Sequence, residues 1–260
     1  MWRWSASLLL LPSMWGYDLQ LENGHPVTWD AGTVTMKLLL NTTPVLSDGS
    51  TYVSSVQTAL QTWNSEIATI QFASATGVPA SPANNTLNEV AFDSTVYGTA
   101  FDANVLAITV FYYSNNPRTD GTYRRTQADI IFNNAYTWDS YRGPLRAAQD
   151  IQRVALHELG HVLGLDHPDE AIPPQSVSAQ MNSNVSNLDT LTADDIAGAQ
   201  SLYGVSIATL RPDRGADFDG DGKADLIWSN TLTGERSMWL MKGSTVKAGA
   251  TLERCLQRGS

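Results

Sequence analysis

The chain has 260 residues, of which 42% are hydrophobic and 16% are charged. This composition is typical of one folded domain with a small appendage and argues against a wholly disordered chain. The formal net charge of −10 argues against nucleic acid and anionic membranes as partners, because both favour a basic protein face. A single cysteine, Cys255, can build neither a disulfide framework nor a thiolate metal site.

The N-terminus predicts a secretory signal peptide over residues 1–16. Arg3 precedes a short apolar run that includes Leu8–Leu11, an order typical of such signals. An apolar N-terminal strand is the alternative interpretation. The sequence holds no run of about 18 apolar residues, so it predicts no membrane-spanning helix. We expect a secreted, extracellular protein.

Strands and helices alternate through the next part of the chain. A helix is predicted between strands at 33–40 and 70–73, because its apolar residues recur every three or four positions: Val53, Val56, Leu60, Trp63 and Ile67. Asp48 or Ser50 is expected to cap that helix. β-Branched and aromatic residues then predict a hairpin, with strands at 105–113 and 128–132 and a turn at 114–121. Two further helices are predicted at 150–163 and 192–202.

The second predicted helix carries the most informative motif, His157-Glu-Leu-Gly-His161-Val-Leu-Gly164-Leu-Asp-His167. Two histidines four positions apart project from one face of a helix and can bind the same metal ion. A straight helix would carry His167 away from that ion. Gly164 has no Cβ and tolerates a positive φ, so we expect it to reverse the chain and bring His167 back.

Three neutral imidazoles would hold Zn²⁺ with its full charge and with one coordination position open to water. Glu158 follows the first ligand and is predicted to act as the general base that activates this water and then protonates the leaving amine. The alternative is that the histidines only cap or pack. That interpretation gives no reason for a helix, a glycine at its end and a third histidine at the matching spacing to occur together. His25, in contrast, stands alone and is expected in a surface loop.

At these residues the chain resembles the metzincin metallopeptidases, and among them the matrixins, whose pattern HExxHxxGxxH is matched at every specified position. Ala128–Phe132 is similar to the family's strand before the active-site helix, and Leu191–Gly204 to its closing helix. The resemblance covers about residues 17–205. It implies an α+β zincin fold with a twisted mixed β-sheet, an active-site helix, a Met-turn and a C-terminal helix. It also implies a protein or peptide substrate that lies in the cleft as an extended strand.

The resemblance places the Met-turn at Met181, the one methionine between the third histidine and the closing helix. A proline directly after the third histidine, here Pro168, resembles the serralysin pattern. Ser183, however, stands where serralysins and astacins carry a tyrosine, and this disfavours both families. No cysteine precedes residue 255 in this sequence, so we do not expect a propeptide cysteine that keeps the enzyme latent by binding the zinc. Too few histidines remain for a second zinc, so we expect one. Calcium in the catalytic domain is implied by the family, without assignable ligands, and a monomer is expected.

A second unit is predicted from the change in composition after the closing helix. Its loop offers carboxylates and one backbone carbonyl at alternate positions, a pattern that surrounds a calcium ion: Asp217, Asp219, Asp221, Lys223 and Asp225. A solvated acidic turn is the alternative. The strands that follow predict a β-hairpin at 226–228 and 238–241, so the unit resembles a single FG-GAP/VCBS-type repeat, one blade of a β-propeller.

The sequence therefore predicts a signal peptide at 1–16, a matrixin-like catalytic domain at 17–206, a calcium-loop repeat at 207–250 and a disordered tail at 251–260. The leading functional hypothesis is a secreted zinc-dependent endopeptidase. The alternative is an adhesion or glycan-binding protein in which the propeller-like unit carries the main function. A third possibility, an inactive zincin, is disfavoured by the complete set of ligands and base.

Overall fold

The structure is a computed structural model and describes residues 16–83, 85–206, 225–229, 236–242 and 245–252. The chain divides into two compact units, Met1–Ser206 and Ile207–Ser260, and each is described by itself. The predicted signal peptide lies outside the described residues except for Gly16. Among the helices described, none has the length and apolar character needed to cross a bilayer.

The first unit contains three α-helices, one 3-10 helix and thirteen strands among its described residues. The helices are α1 (Tyr52–Glu66), α2 (Ile151–Leu163), α3 (Ala193–Tyr203) and the 3-10 helix Pro168–Glu170. The strands are β1 (Asp18–Leu19), β2 (Leu21–Glu22), β3 (His25–Thr28), β4 (Gly32–Leu39), β5 (Ile70–Thr76), β6 (Asn88–Asp93), β7 (Thr95–Val96), β8 (Thr99–Ala100), β9 (Ala107–Pro117), β10 (Tyr123–Asn133), β11 (Trp138–Asp139), β12 (Gln149–Asp150) and β13 (Leu165–Asp166).

A seven-stranded mixed sheet forms the scaffold of this unit. Strands β5, β4, β6 and β10 run parallel in that order, and β9 pairs antiparallel with β10. Strand β3 pairs with the start of β10, and β2 pairs with β3. The mixed sheet together with the helices confirms the predicted α+β class.

Helix α1 packs on this sheet and contacts helix α2. Trp63 is fully buried, and its indole N–H donates to the carbonyl of Leu156 in α2 at 2.9 Å. The predicted cap of α1 was wrong, because Thr51 rather than Asp48 or Ser50 begins the helix. The hydroxyl of Thr51 accepts from the backbone N–H of Ser54, and the hydroxyl of Ser54 accepts from that of Thr51. This reciprocal capping box satisfies two N–H groups at once.

The predicted hairpin is formed by β9 and β10, but its turn is shorter than expected. Strand β9 continues through Pro117, which pairs with Tyr123. The reversal is made by residues 118–122, where the N–H of Arg118 donates to the carbonyl of Thr122 at 2.8 Å. Two register shifts in the pairing let the strands extend through residues whose polar character predicted a turn.

The second unit contains three antiparallel strands among its described residues, β14 (Leu226–Ser229), β15 (Arg236–Lys242) and β16 (Thr245–Leu252). The pairing of β14 with β15 confirms the predicted hairpin. Strand β16 was not predicted, and it continues two residues into the tail expected from residue 251. The remainder of that tail lies outside the described residues. The assignment to a propeller-type repeat stays a prediction.

Candidate metal centre

Helix α2 is defined at both ends by its own sequence. The carboxylate of Asp150 accepts from the backbone N–H of Gln152 at 3.2 Å and caps the start. Gly164 ends the helix with a φ of 109°, a left-handed conformation that favours glycine. A Cβ at Gly164 would also lie 2.8 Å from the carbonyl oxygen of Val27. Glycine is therefore required here by both conformation and space.

The turn at Gly164 brings the three histidines of the motif together. Nε2 of His161 lies 3.1 Å from Nε2 of His157 and 3.0 Å from Nε2 of His167, and the third side of the triangle measures 3.2 Å. A tetrahedral zinc ion with Zn–N bonds of about 2.0–2.1 Å separates its nitrogen ligands by about 3.4 Å. The spacing of the imidazoles therefore fits one zinc ion.

Backbone carbonyls orient the first two imidazoles. Nδ1 of His157 lies 2.8 Å from the carbonyl oxygen of Gln180, and Nδ1 of His161 lies 2.9 Å from that of Leu165. Because a carbonyl only accepts hydrogen bonds, each Nδ1 carries the proton and each Nε2 presents its lone pair. Burial, reinforced by the neighbouring histidines, holds the pKa of His161 well below its usual value. This favours the neutral form that a metal ligand needs.

The third imidazole is oriented by a carboxylate. Nδ1 of His167 lies 3.0 Å from Oε2 of Glu170, in the 3-10 helix that follows. The carboxylate fixes the same tautomer as the carbonyls do, so all three Nε2 lone pairs converge. Three converging lone pairs repel one another unless a cation lies between them. The donor set thus fits a zinc ion by its chemistry as well as by its spacing.

Glu158 lies beside these ligands and is 5% exposed. Its Oε2 accepts a hydrogen bond from the hydroxyl of Thr109, in β9, at 2.7 Å. Burial raises the pKa of Glu158, and this effect is opposed by the electrostatic influence of His157 and by the Thr109 hydrogen bond. A buried carboxylate of raised basicity beside a metal centre suits proton transfer near neutral pH.

The segment around Met181 packs beneath the histidines. Met181 is 2% exposed, and a Cβ at Gly160 would overlap its sulfur atom. The backbone N–H groups of Gln180 and Met181 both donate to the carboxylate of Asp195 at 3.0 Å. Asp195 also belongs to the capping box that begins α3 at Thr192. The start of α3 therefore anchors the same segment whose carbonyl orients His157.

A second anchor links the third histidine to this segment. Asp169 follows Pro168 in the 3-10 helix, and its carboxylate accepts from the N–H and the hydroxyl of Ser183, both at 2.8 Å. Ser183 stands at the position where serralysins and astacins carry a tyrosine, and in this chain it contacts Asp169. Asp169 ties the chain after His167 to the chain after Met181.

The metal centre opens into a cleft of about 1030 Å³, whose lining includes the three histidines, Glu158 and part of β9. Arg153, one turn before His157 in α2, lies in the wall and is 1% exposed. Its guanidinium donates to the carbonyl of Gly143 at 2.6 Å and to that of Ser186 at 3.1 Å. The bond to Ser186 ties this wall to the loop that follows Met181.

The predicted calcium loop is only partly described. Residues 217, 219, 221 and 223 lie outside the described residues. Asp225 is buried, and its Oδ1 accepts from the N–H of Met241 at 2.8 Å. Calcium binding stays a prediction. His25 is exposed, as expected, but it begins β3 rather than lying in a loop.

Sequence reasoning missed three contacts of the metal centre. Thr109 gave no signal, because its partner Glu158 is 49 positions away in the chain. Glu170 stands three positions after His167, a spacing that permits contact within one helical turn and that was available in the sequence. The bonds of Asp195 to Gln180 and Met181 depend on tertiary structure, which no sequence pattern records.

Comparison with known proteins gives one family and several relatives. The matrixin peptidase family matches residues 28–204. Metalloendoproteinase 1-MMP of Arabidopsis thaliana is 38% identical over 73 residues, which cover 27% of this chain and 19% of that protein. Macrophage metalloelastase of Oryctolagus cuniculus is 40% identical over 78 residues, 29% of this chain and 15% of its own length. The chain thus aligns with about a fifth or less of the length of these relatives.

Proposed function

The chain belongs to the matrixin family, and from this premise we propose that it is a zinc-dependent endopeptidase that hydrolyses peptide bonds in protein or peptide substrates. The observation that carries the proposal is the convergence of three Nε2 atoms within 3.0–3.2 Å beside the buried carboxylate of Glu158. The alternative, an adhesion or glycan-binding role for the second unit, is not favoured by a family match that covers the first unit.

In this proposal His157, His161 and His167 hold one zinc ion, with Nδ1 of each fixed by its own acceptor. The ion supplies Lewis-acid activation of water and of the substrate carbonyl when it is bound. Glu158 accepts a proton from the attacking water and delivers it to the leaving amine. Its raised pKa supports this role, because a stronger base takes the proton more readily near neutral pH.

Met181 has a positioning role in the proposal, as the floor beneath the imidazoles. Its close approach to Gly160 and its backbone bond to Asp195 support that role. The substrate lies along β9 as an extended strand. Strand β9 pairs with β10 on one side, and among the described strands no other pairs with it, so its second edge can accept a peptide by strand addition.

We further propose that the protein acts outside the cell as a monomer, with residues 17–206 as the catalytic domain. The apolar N-terminal run supports secretion. The loop of the second unit is proposed to bind one calcium ion through Asp217, Asp219, Asp221, the carbonyl of Lys223 and Asp225. The alternation of carboxylates supports this, because Ca²⁺ prefers six to eight oxygen ligands.

The substitution E158Q in the zinc-loaded full chain tests the proposed mechanism. Glutamine keeps the shape of the side chain but cannot accept the proton, so hydrolysis of casein should fall by at least about 10²-fold. Zinc content should stay at the wild-type level, since Glu158 is not a ligand. Wild-type hydrolysis in E158Q would exclude Glu158 as the base, and an inactive zinc-loaded wild type would exclude the peptidase itself.

A further inference from the structure

We propose that Thr109 is a positioning residue, which holds the carboxylate of Glu158 in the orientation that proton transfer requires. The inference rests on the proposed function and goes beyond it, because it assigns a role to a residue of the cleft edge outside the zinc-binding motif. The observation that carries it is a side-chain contact between β9 and α2.

The hydroxyl of Thr109 lies between two acceptors of the same residue. Its Oγ1 is 2.7 Å from Oε2 of Glu158 and 3.1 Å from the backbone carbonyl oxygen of Glu158. A hydroxyl has one proton to donate, and the shorter distance assigns it to the carboxylate. This hydrogen bond therefore ties the carboxylate of Glu158 to strand β9.

Thr109 is itself held rigidly. It pairs with Ile130 in the antiparallel ladder of β9 and β10, and Ile130 is fully buried in the core. A β-branched side chain has few χ1 rotamers on a strand, so the hydroxyl has little freedom to leave its partner. The sheet therefore provides a fixed point against which a flexible glutamate side chain is aligned.

Because of this bond, the two carboxylate oxygens of Glu158 have different roles. Oε2 receives a hydroxyl donor, which stabilises the charged carboxylate in its buried site. Oε1 is then the oxygen that accepts the proton of the attacking water. General-base catalysis needs the base within about 2.6–3.2 Å of that proton's oxygen, and displacement by about 1 Å can cost 10²-fold in rate. A freely rotating Glu158 would meet this requirement only part of the time.

Two substitutions separate the hydroxyl from the shape of the side chain. T109V keeps the β-branched shape and removes the hydroxyl, so kcat for a peptide substrate should fall about tenfold, the loss expected for one hydrogen bond to a charged group. KM should change less than about twofold, because Thr109 aligns the base rather than the substrate. T109S keeps the hydroxyl and should retain kcat within about threefold of wild type.

The control is T126V, the same change at an exposed position of β10, which should leave kcat unchanged. Zinc content should match wild type in all three variants, and T109S and T126V should also keep the wild-type thermal midpoint. Crystal structures of zinc-loaded T109V should show the Glu158 carboxylate in more than one rotamer.

Wild-type kcat in T109V, or an equal loss in T109S and T109V, would overturn the positioning role while leaving the peptidase assignment intact. A single unchanged Glu158 rotamer in T109V would overturn it as well. If zinc-loaded wild type hydrolyses no peptide, the proposed function fails, and the role of Thr109 fails with it.

Discussion

Asp195 connects two segments beneath the histidines, and the substitution D195N measures how much that connection contributes to the stability of the fold. The carboxylate is 1% exposed and accepts four hydrogen bonds. Oδ2 accepts from the N–H of Gln180 at 3.0 Å, and from the N–H and hydroxyl of Thr192 at 2.7 and 2.8 Å. Oδ1 accepts from the N–H of Met181 at 3.0 Å.

Asparagine keeps the shape of Asp195 but offers one acceptor oxygen and one NH₂ group. In its better orientation the oxygen replaces Oδ2, and the NH₂ group then faces the N–H of Met181. That buried N–H loses its acceptor, which costs about 1–3 kcal/mol, and the remaining bonds lose the negative charge of their acceptor. We expect D195N to lower the free energy of unfolding by about 3 kcal/mol. For a domain of this size the Tm then falls by about 6–12 °C.

Thermal unfolding followed by tryptophan fluorescence measures this shift. The control is D120N, because Asp120 is exposed and also accepts from a backbone N–H and a hydroxyl, both of Thr122. Exposed substitutions usually change stability by less than about 0.5 kcal/mol, so the Tm of D120N should stay within about 2 °C of wild type. If D195N shifts the Tm no more than D120N does, Asp195 does not stabilise the segment beneath the histidines, and the reasoning is refuted.

Two further substitutions act on other supports of the site. G164A places a Cβ on a residue in the left-handed conformation, 2.8 Å from the carbonyl oxygen of Val27. We expect a cost of about 2–3 kcal/mol, which lowers the Tm by about 4–12 °C. A Tm equal to that of wild type would contradict the need for glycine. E170Q removes the charge of the group that accepts from Nδ1 of His167, so competition with a chelator should show about tenfold weaker zinc binding. Zinc binding as tight as in D120N would mean that the charge of Glu170 has no such role.

The clustering of the three histidines was predictable from the sequence because most of the information for it is local. The spacing of His157 and His161 follows from the geometry of one helix, and Gly164 marks where that helix must end. His167 then returns within three residues of the turn. Each step needs only the conformation of a short segment, so no knowledge of the rest of the fold was required.

The cap of α1 shows where local reasoning fails. Asp48, Ser50 and Thr51 all have side chains suited to capping, and their order in the sequence does not rank them. In the structure Asp48 instead accepts from Ser140, far along the chain, at 2.7 Å. The carboxylate of Asp48 is engaged by this tertiary contact, and Thr51 caps the helix.

The supports of the site were beyond sequence reasoning for the same physical reason. Thr109 reaches Glu158 only because β9 lies along α2, and Asp195 reaches Met181 only because α3 begins beneath the site. Such contacts depend on how elements pack, and neither periodicity nor capping patterns record packing. The ligands of a site are thus easier to predict than the residues that orient them.

Zinc titration of the metal-free full chain tests the central claim most directly. After removal of metal by a chelator, casein hydrolysis should be absent, and added Zn²⁺ should restore it. We predict that activity rises in proportion to bound zinc and reaches its plateau at one equivalent, the number that His157, His161 and His167 can hold. Hydrolysis that persists without metal, or a plateau that needs a second tightly bound zinc, would contradict the account.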